Sequence, residues 1–205
     1  MSIHRLVERV KAIAQSGLAY TTGAYDRERY EQLAQIALDL AVGLTGRPAD
    51  AVRAHWVADK GYGTPKVGVR AAVIQDGGIL LCKEAVDGRW SLPGGWADVG
   101  ESPAANAVKE TREESGYLVQ AVKLIACFDH DHPRHGHPET LTHSYELFFL
   151  CALQGGEARP SLETTEVGFF PPDGLPPLSL QRVTPQQVAM CFRHHADPAL
   201  PTEFD

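Results

Sequence analysis

The sequence predicts an α+β sandwich preceded by a small helical unit. Three features predict it. Residues 1 to about 60 carry apolar side chains at helical spacing. A break rich in Gly and Pro, "GYGTPKVG" (61–68), follows. Beyond it, apolar runs of strand length enclose one sharply bracketed helix. We therefore expect two domains, a helical one over 1–62 and an α+β one over 63–205.

In "IHRLVERVKAIAQSGLAY", Leu6, Val10, Ile13 and Ala14 recur on one face, and Gly17 is expected to end the helix. In "YDRERYEQLAQIALDLAVGLTG", Asp26 is the expected cap. Tyr30, Leu33, Ala34, Ala37 and Leu40 form the stripe, and Gly43 with Gly46-Arg47-Pro48 closes it. Two helices of this size bury little apolar surface alone. They must pack on the rest of the chain or on a second copy, and we expect a homodimer.

In the second unit, "VGVRAAVIQDGGILLCKE" reads as two strands joined at Asp76-Gly77, a strong hairpin signal. "LVQAVKLIACFDH" and "SYELFFLCAL" read as further strands, and "EVGFF" (166–170) as a short one. Thr184-Pro185-Gln186-Gln187 supplies an N-cap, a first-turn proline and a capping-box Gln for a last helix through Val188, Met190 and Cys191.

Composition excludes several classes. A net charge of −7 over 205 residues leaves no basic footprint for duplex nucleic acid, so a phosphate ligand would need a metal or a local Arg/Lys group. Cys82, Cys127, Cys151 and Cys191 form no CxxC pair and read as reduced core or strand thiols. The N-terminus lacks the apolar core of a signal peptide, and no run has the length of a membrane span. These readings together predict a cytoplasmic protein.

The chemistry concentrates in "WSLPGGWADVGESPAANAVKETREESGYLV" (90–119). Ser102 is a good N-cap, Pro103 a good first helical residue and Gly116 a natural C-terminal stop. Between them, Glu110, Glu113 and Glu114 stand at i, i+3 and i+4 and share one face, while Ala104, Val108, Thr111 and Ser115 share another. Like charges so close destabilise a helix by a few tenths of a kcal/mol, roughly. Two readings compete at this point. Lys109 and Arg112 partner an acidic solvated face, or hard oxygen ligands cluster for Mg²⁺ or Mn²⁺.

The flanking residues bear on the choice. Gly95, five residues, Glu101, seven residues, Lys109-Glu110-Thr111-Arg112-Glu113-Glu114, then Gly116 and Tyr117, resemble the Nudix hydrolase box GX5EX7REUXEEXGU. The box's Arg is Lys109 here, which keeps the charge but not the bidentate fork, and its first bulky apolar position is Thr111. The resemblance implies an α/β/α sandwich with a mixed sheet. It implies Mg²⁺, with Mn²⁺ as the alternative, on Glu110 and Glu114, with Glu113 sharing the cluster and the Gly94 carbonyl adding a ligand. Glu101 would pair with Lys109. In this family an acidic residue from a downstream loop often completes the site, and Glu163 and Glu166 are the candidates. Which carboxylate takes the proton from water stays open.

"TPKVGVRAAVI", "HSYELFFLC" and "TTEVGFFPPDGLPPLSLQRVTPQQV" extend the similarity to a Nudix subgroup with a short helical N-terminal domain, which includes CDP-choline and ADP-ribose pyrophosphatases. It implies hydrolysis of a nucleoside diphosphate linked to another group, NDP-X, to NMP and phospho-X. A nucleoside triphosphate or an RNA end as substrate, and a non-catalytic nucleotide-sugar sensor, remain as alternatives. Arg70 is a candidate phosphate contact or a strand-surface Arg. Trp96, in the loop entering the helix, is a candidate for stacking on a base, whereas Tyr117 reads as core. "FDHDHPRHGHPETLTHS" (128–144) carries five histidines without helical spacing. We read it less as a zinc site than as a loop near the substrate, where His130 or Arg134 meets phosphate or the leaving group, with a plain solvated loop as the alternative.

Overall fold

The structure is a computed structural model and describes residues 2–57 and 61–205. The chain divides into two compact units, Met1–Pro65 with Glu139–His143, and Lys66–Pro138 with Ser144–Asp205. Residues 58–60, at the end of the stretch expected to be helical, lie outside the described residues.

Among the described residues, the first unit holds three helices: α1 (Ile3–Tyr20), α2 (Ala24–Thr45) and α3 (Ala49–Val57). The sequence reading named only two. Gly17 does not end α1, which runs on to Tyr20. A Cβ at Gly17 would overlap the Tyr30 ring, so this glycine marks close contact between α1 and α2. Gly43 likewise lies inside α2, which stops at Gly46 in the left-handed conformation. Asp26 sits in the first turn of α2 and Gly23 holds the cap position. The core is Val7, Ala37, Leu38, Ala41, Val52 and Trp56. Leu141, from the segment 139–143, packs against it, and the ion pair His4–Glu139 and the contact Arg5–His143 tie the same segment in.

The expected stripe on α1 is only partly covered. Of its members Ala14 is buried and Val10 half-buried, whereas Leu6 and Ile13 are exposed; Val7, outside the expected stripe, is buried instead. At 100° per residue Ile3, Leu6, Ile13 and Tyr20 share one exposed face, and on α2 Tyr25, Ile36 and Leu40 do the same.

The second unit is built on one mixed sheet. Its strands are β1 (Lys66–Gln75), β2 (Gly78–Glu84), β3 (Trp90–Ser91), β4 (Tyr117–Asp129), β5 (Ser144–Gly156), β6 (Thr164–Phe170) and β7 (Glu203–Phe204). The order is β3-β2-β1-β5-β4-β7, with β6 paired to β2. β1 and β5 run parallel, as do β4 and β7. The expected hairpin is present, with Asp76 (φ 50°) and Gly77 (φ 79°) both left-handed, as a tight primed turn requires.

Alternation along the strands sends Val69, Ala71, Val73, Leu80, Phe149 and Cys151 to one face, under α4 (Pro103–Ser115). Ala72, Ile74, Ile79, Leu81, Phe128, Phe148 and Leu150 go to the other, under α5 (Pro185–Ala196). The result is the expected α/β/α sandwich. The capping box at Thr184 and Gln187 forms as read. β3, β7 and a single 3₁₀ turn at Pro133–His135 had no sequence signal strong enough to name them. The four cysteines are free, and burial pushes the thiols of Cys151 and Cys191 up to about 12. No described helix is long and apolar enough to cross a membrane.

Candidate active site

The turn Leu92-Pro93-Gly94-Gly95 is pressed onto β1. Val69 and Ala71 donate their N–H groups to the carbonyls of Gly95 and Pro93, at 2.9 Å each. Gly94, at φ 150°, comes so close that a Cβ there would overlap the Val69 carbonyl oxygen. Only glycine fits such an approach. Its N–H then points at the helix and donates to Glu114 Oε2 at 3.0 Å.

α4 starts where the sequence placed it. The Ser102 side chain accepts from Ala105 N–H, Pro103 opens the helix, and Gly116 ends it in the left-handed conformation. Thr111 faces inward and donates to the Ala107 carbonyl at 2.7 Å, so a hydroxyl fills the bulky apolar position of the motif. Glu114 is buried and Glu113 exposed. Glu110 is half-buried, and a Cβ on Gly95 would lie 3.2 Å from its carboxyl carbon. Glu110, Glu114 and the Gly94-Gly95 backbone therefore converge, with Glu113 on the outer side of the same turn.

Lys109 does not pair with Glu101. Its Nζ donates to Asp98 Oδ2 at 2.5 Å, while Glu101 stays exposed. Asn106 explains the preference, since its side chain accepts from Asp98 N–H and fixes Asp98 against the helix.

Burial raises the carboxyls of the cluster. Burial, and then Glu84 and Glu110, push the Glu114 carboxyl up to about 8, against the Gly94 N–H and Arg70, which oppose the shift. Glu110 is raised by burial and by Glu113. Glu84, at the end of β2, is raised by burial despite Arg182, whose Nε lies 3.3 Å away. The sequence reading missed Glu84; a lone carboxylate closing the apolar run "GILLC" was its only signal.

The two downstream candidates separate. Glu163 is among the charges that raise Glu84 and Glu110. Its backbone carbonyl accepts from Ala85 N–H at 2.8 Å, and the neighbouring Thr164 hydroxyl donates to the Glu114 carbonyl at 2.7 Å, so its loop is tied beside the end of α4. Glu166 is held by Lys83 at 2.6 Å in a cross-strand ion pair.

Arg70 is not an open phosphate contact. It is 8% exposed, and its guanidinium is taken up by the Gly94 carbonyl (Nη1, 3.0 Å) and by Glu146 (Nε, 3.3 Å). Glu146 was also missed, although it shares the parity of Phe148 and Leu150 in β5, which marks a charge on a buried face. Trp96 is 51% exposed beside the turn, with Lys66 Nζ 5.8 Å from its ring. Tyr117 packs edge-on against Phe169.

The histidine-rich loop is assembled from local contacts. His130 is buried, its ring nitrogens at 2.9 Å from Asp131 and the Gln181 carbonyl. Burial alone would lower its pKa, but these partners outweigh burial and raise it. His137 stacks on His130 at 4.2 Å and lies between the Leu180 carbonyl and the Gln187 amide. Burial lowers it to about 4. His132, His135 and Asp205 offer ligand atoms within 4.8 Å of one another, but Arg134 already supplies a cation there, 2.9 Å from Asp205. Arg134 also donates to the Phe204 carbonyl, so β7 engages it.

The donor set of the α4 cluster is carboxylate and carbonyl oxygen, which fits a hard divalent cation. Its carboxyl pKa values are raised by burial first and by neighbouring carboxylates second, and a bound cation would oppose both.

Known proteins resemble this chain over both of its units. The model of the NUDIX domain matches residues 64–190. That of the UDP-X-like N-terminal oligomerisation domain matches residues 2–56. The chain is 42% identical over 198 residues to YjhB of Bacillus subtilis (strain 168), named provisionally for ADP-ribose pyrophosphatase activity, covering 97% of this chain and 94% of that protein. The solved structure of a UDP-X diphosphatase aligns over 98% of this chain and 97% of its own, at 29% identity and a TM-score of 0.64. That of an ADP-ribose pyrophosphatase from Streptococcus suis 89-1591 covers 69% of this chain and 100% of its own, at 43% identity and a TM-score of 0.62.

Proposed function

Because the chain belongs to the Nudix hydrolase family, we propose that it is a Mg²⁺-dependent pyrophosphohydrolase that cleaves NDP-X to NMP and phospho-X. ADP-ribose is the first substrate to test, and UDP- and CDP-linked compounds come next. One observation carries the reading: buried Glu114 and half-buried Glu110 converge on the Gly94-Gly95 backbone, each carboxyl raised by burial and by neighbouring carboxylates.

Glu110, Glu114 and the Gly94 carbonyl would hold the cation, with Glu113 adding charge from the solvent side. When bound, it supplies positive charge to the diphosphate and acidity to water. The chain's own groups do the rest. Gly94 N–H fixes one oxygen of Glu114. Glu163, on its tied loop, accepts a proton from the water that attacks phosphorus. The P–O–P bridge then breaks, one phosphate leaving with the nucleoside and the other with X. Trp96 offers its exposed face to the base.

The exposed apolar faces of α1 and α2 support a homodimer, in keeping with the oligomerisation-domain match. Gel filtration with light scattering is expected to give twice the chain mass, and Ile13→Glu with Ile36→Glu to give one.

The test of function is product analysis with Mg²⁺ on ADP-ribose, UDP- and CDP-linked compounds and nucleoside triphosphates. NMP release from an NDP-X compound, lost in Glu114→Gln, is the expected result. Tight binding without turnover would replace the reading with a sensor.

A further inference from the structure

The buried pair Arg70–Glu146 takes no part in the reading above, yet it is joined to the site by an unbroken set of contacts. Ser144 Oγ lies 3.4 Å from Glu146 Oε1. Glu146 Oε2 lies 3.3 Å from Arg70 Nε. Arg70 Nη1 donates to the Gly94 carbonyl at 3.0 Å, and Gly94 N–H donates to Glu114 Oε2 at 3.0 Å.

We propose that Glu146 and Arg70 are positioning residues for the metal site: they aim the Gly94 carbonyl and, through the same peptide, the Glu114 carboxylate. The proposal rests on the cation-binding reading of α4.

Three observations support it. Glu146 is 3% and Arg70 8% exposed, so neither is placed by solvent. A buried ion pair is costly to desolvate, and apolar replacements often do as well for stability. Arg70 Nε and Glu146 Oε2 make no well-aligned hydrogen bond, although both are buried. The guanidinium spends its directional bond on Gly94, and its link to Glu146 is mainly charge on charge. Finally, Gly68 makes room for the pair, since a Cβ there would overlap the Glu146 carboxylate.

A carbonyl has two lone pairs, so Gly94 can accept from Arg70 and still face a cation. Arg70 fixes which way the second lone pair points. Groups that orient metal ligands in this way typically change affinity by about 10–100-fold when removed.

The test is Mn²⁺ binding to the full-length protein, read from the EPR signal of free Mn²⁺, beside thermal melting without metal. Glu146→Gln keeps the shape of the side chain. Arg70→Met with Glu146→Leu removes both charges together, leaving net charge unchanged. Each is expected to weaken Mn²⁺ binding about tenfold or more while still melting cooperatively. The double variant separates geometry from field: Arg70 is the end of the pair felt at Glu114, so by field alone removing the pair should leave cation binding unchanged or tighter, whereas lost positioning weakens it. Glu114→Gln is the reference. If it loses Mn²⁺ while both other proteins bind within about twofold of the parent, the positioning role is wrong and the metal site stands. If Glu114→Gln binds as tightly as the parent, the metal site and the positioning role fall together.

Discussion

Two parts of the second unit look alike in composition and differ in construction: the glutamate turn of α4 and the histidine-rich loop. Both crowd titratable side chains into a short stretch. In the loop, His130, His135 and His137 each find a partner, so their polar capacity goes into holding the loop, with Asp131, Asp205 and the Gln181 and Leu180 carbonyls as partners. On α4, the Glu110 and Glu114 carboxyls are both raised, by burial first and then by neighbouring carboxylates. Clustering alone therefore does not mark a site. What marks it is polar capacity left over once the protein's own contacts are counted.

The sharpest way to break this contrast is mutation on each side. Glu114→Gln is expected to lower kcat/KM by about 10²–10³ on the best substrate, the scale of losing one preorganised electrostatic group. His132→Ala should stay within about threefold, since its ring serves a local turn. An equal loss in both would erase the distinction.

A smaller effect is expected at Gly94, where the site depends on backbone. Gly94→Ala forces a side chain into the Val69 carbonyl and is expected to cost about 2–3 kcal/mol of stability. Urea denaturation would measure it. The same change at Gly136, left-handed but with open space around it, should cost about 1 kcal/mol.

The two regions should also respond to pH in opposite senses. The Glu114 carboxyl stands at about 8 when folded, above its unfolded value, so without metal the folded state resists losing this proton. Stability from this group is full below about 4.3 and is lost as pH rises towards 8. His137 stands at about 4, below its unfolded value, because a charged ring would meet desolvation and the positive charge of His130, His135 and Arg70. Stability from it is full above about 6.5 and is lost as pH falls towards 4. Melting temperatures of the metal-free protein between pH 4 and 9 should therefore show two separable limbs. Glu114→Gln should flatten the alkaline limb and His137→Asn the acid one. Mg²⁺ should raise the melting temperature more at pH 8 than at pH 6, because it competes with that proton. A rise of equal size at both pH values would count against Glu114 as a ligand.

The smallest effect belongs to Arg134. It was read as a phosphate contact, but the structure gives it to Asp205 and the Phe204 carbonyl at a partly exposed position. Arg134→Ala is expected to change KM by less than about twofold and stability by about 0.2–1 kcal/mol. A large rise in KM would return the loop to the substrate.

These cases also show what the sequence could tell. The brackets of α4, the Asp76-Gly77 turn and the Thr184 capping box are local chemistry, and each formed where it was read. The shared turn of Glu110, Glu113 and Glu114 is local in the same way. Contacts between distant segments were not legible. Gly17 read as a stop because a sequence cannot show Tyr30 lying against it. Lys109 was assigned to Glu101, whereas Asn106 holds Asp98 closer. Glu146 and Arg70 drew no attention as a pair, because their meeting depends on β1 and β5 being parallel neighbours.

The helical unit is discontinuous, since it includes Glu139–His143, which the chain reaches only after four strands of the other unit. On the ribosome, α1 to α3 emerge first, but their partner Leu141 arrives seconds later at ordinary synthesis rates of about 5–20 residues per second. The helices must wait partly unpartnered during that interval, and the last step of their folding belongs to the time when the catalytic sheet is already being laid down. Cutting the gene between the two units would therefore separate Leu141 from its helices, and two half-proteins expressed side by side would be a poor substitute for one chain.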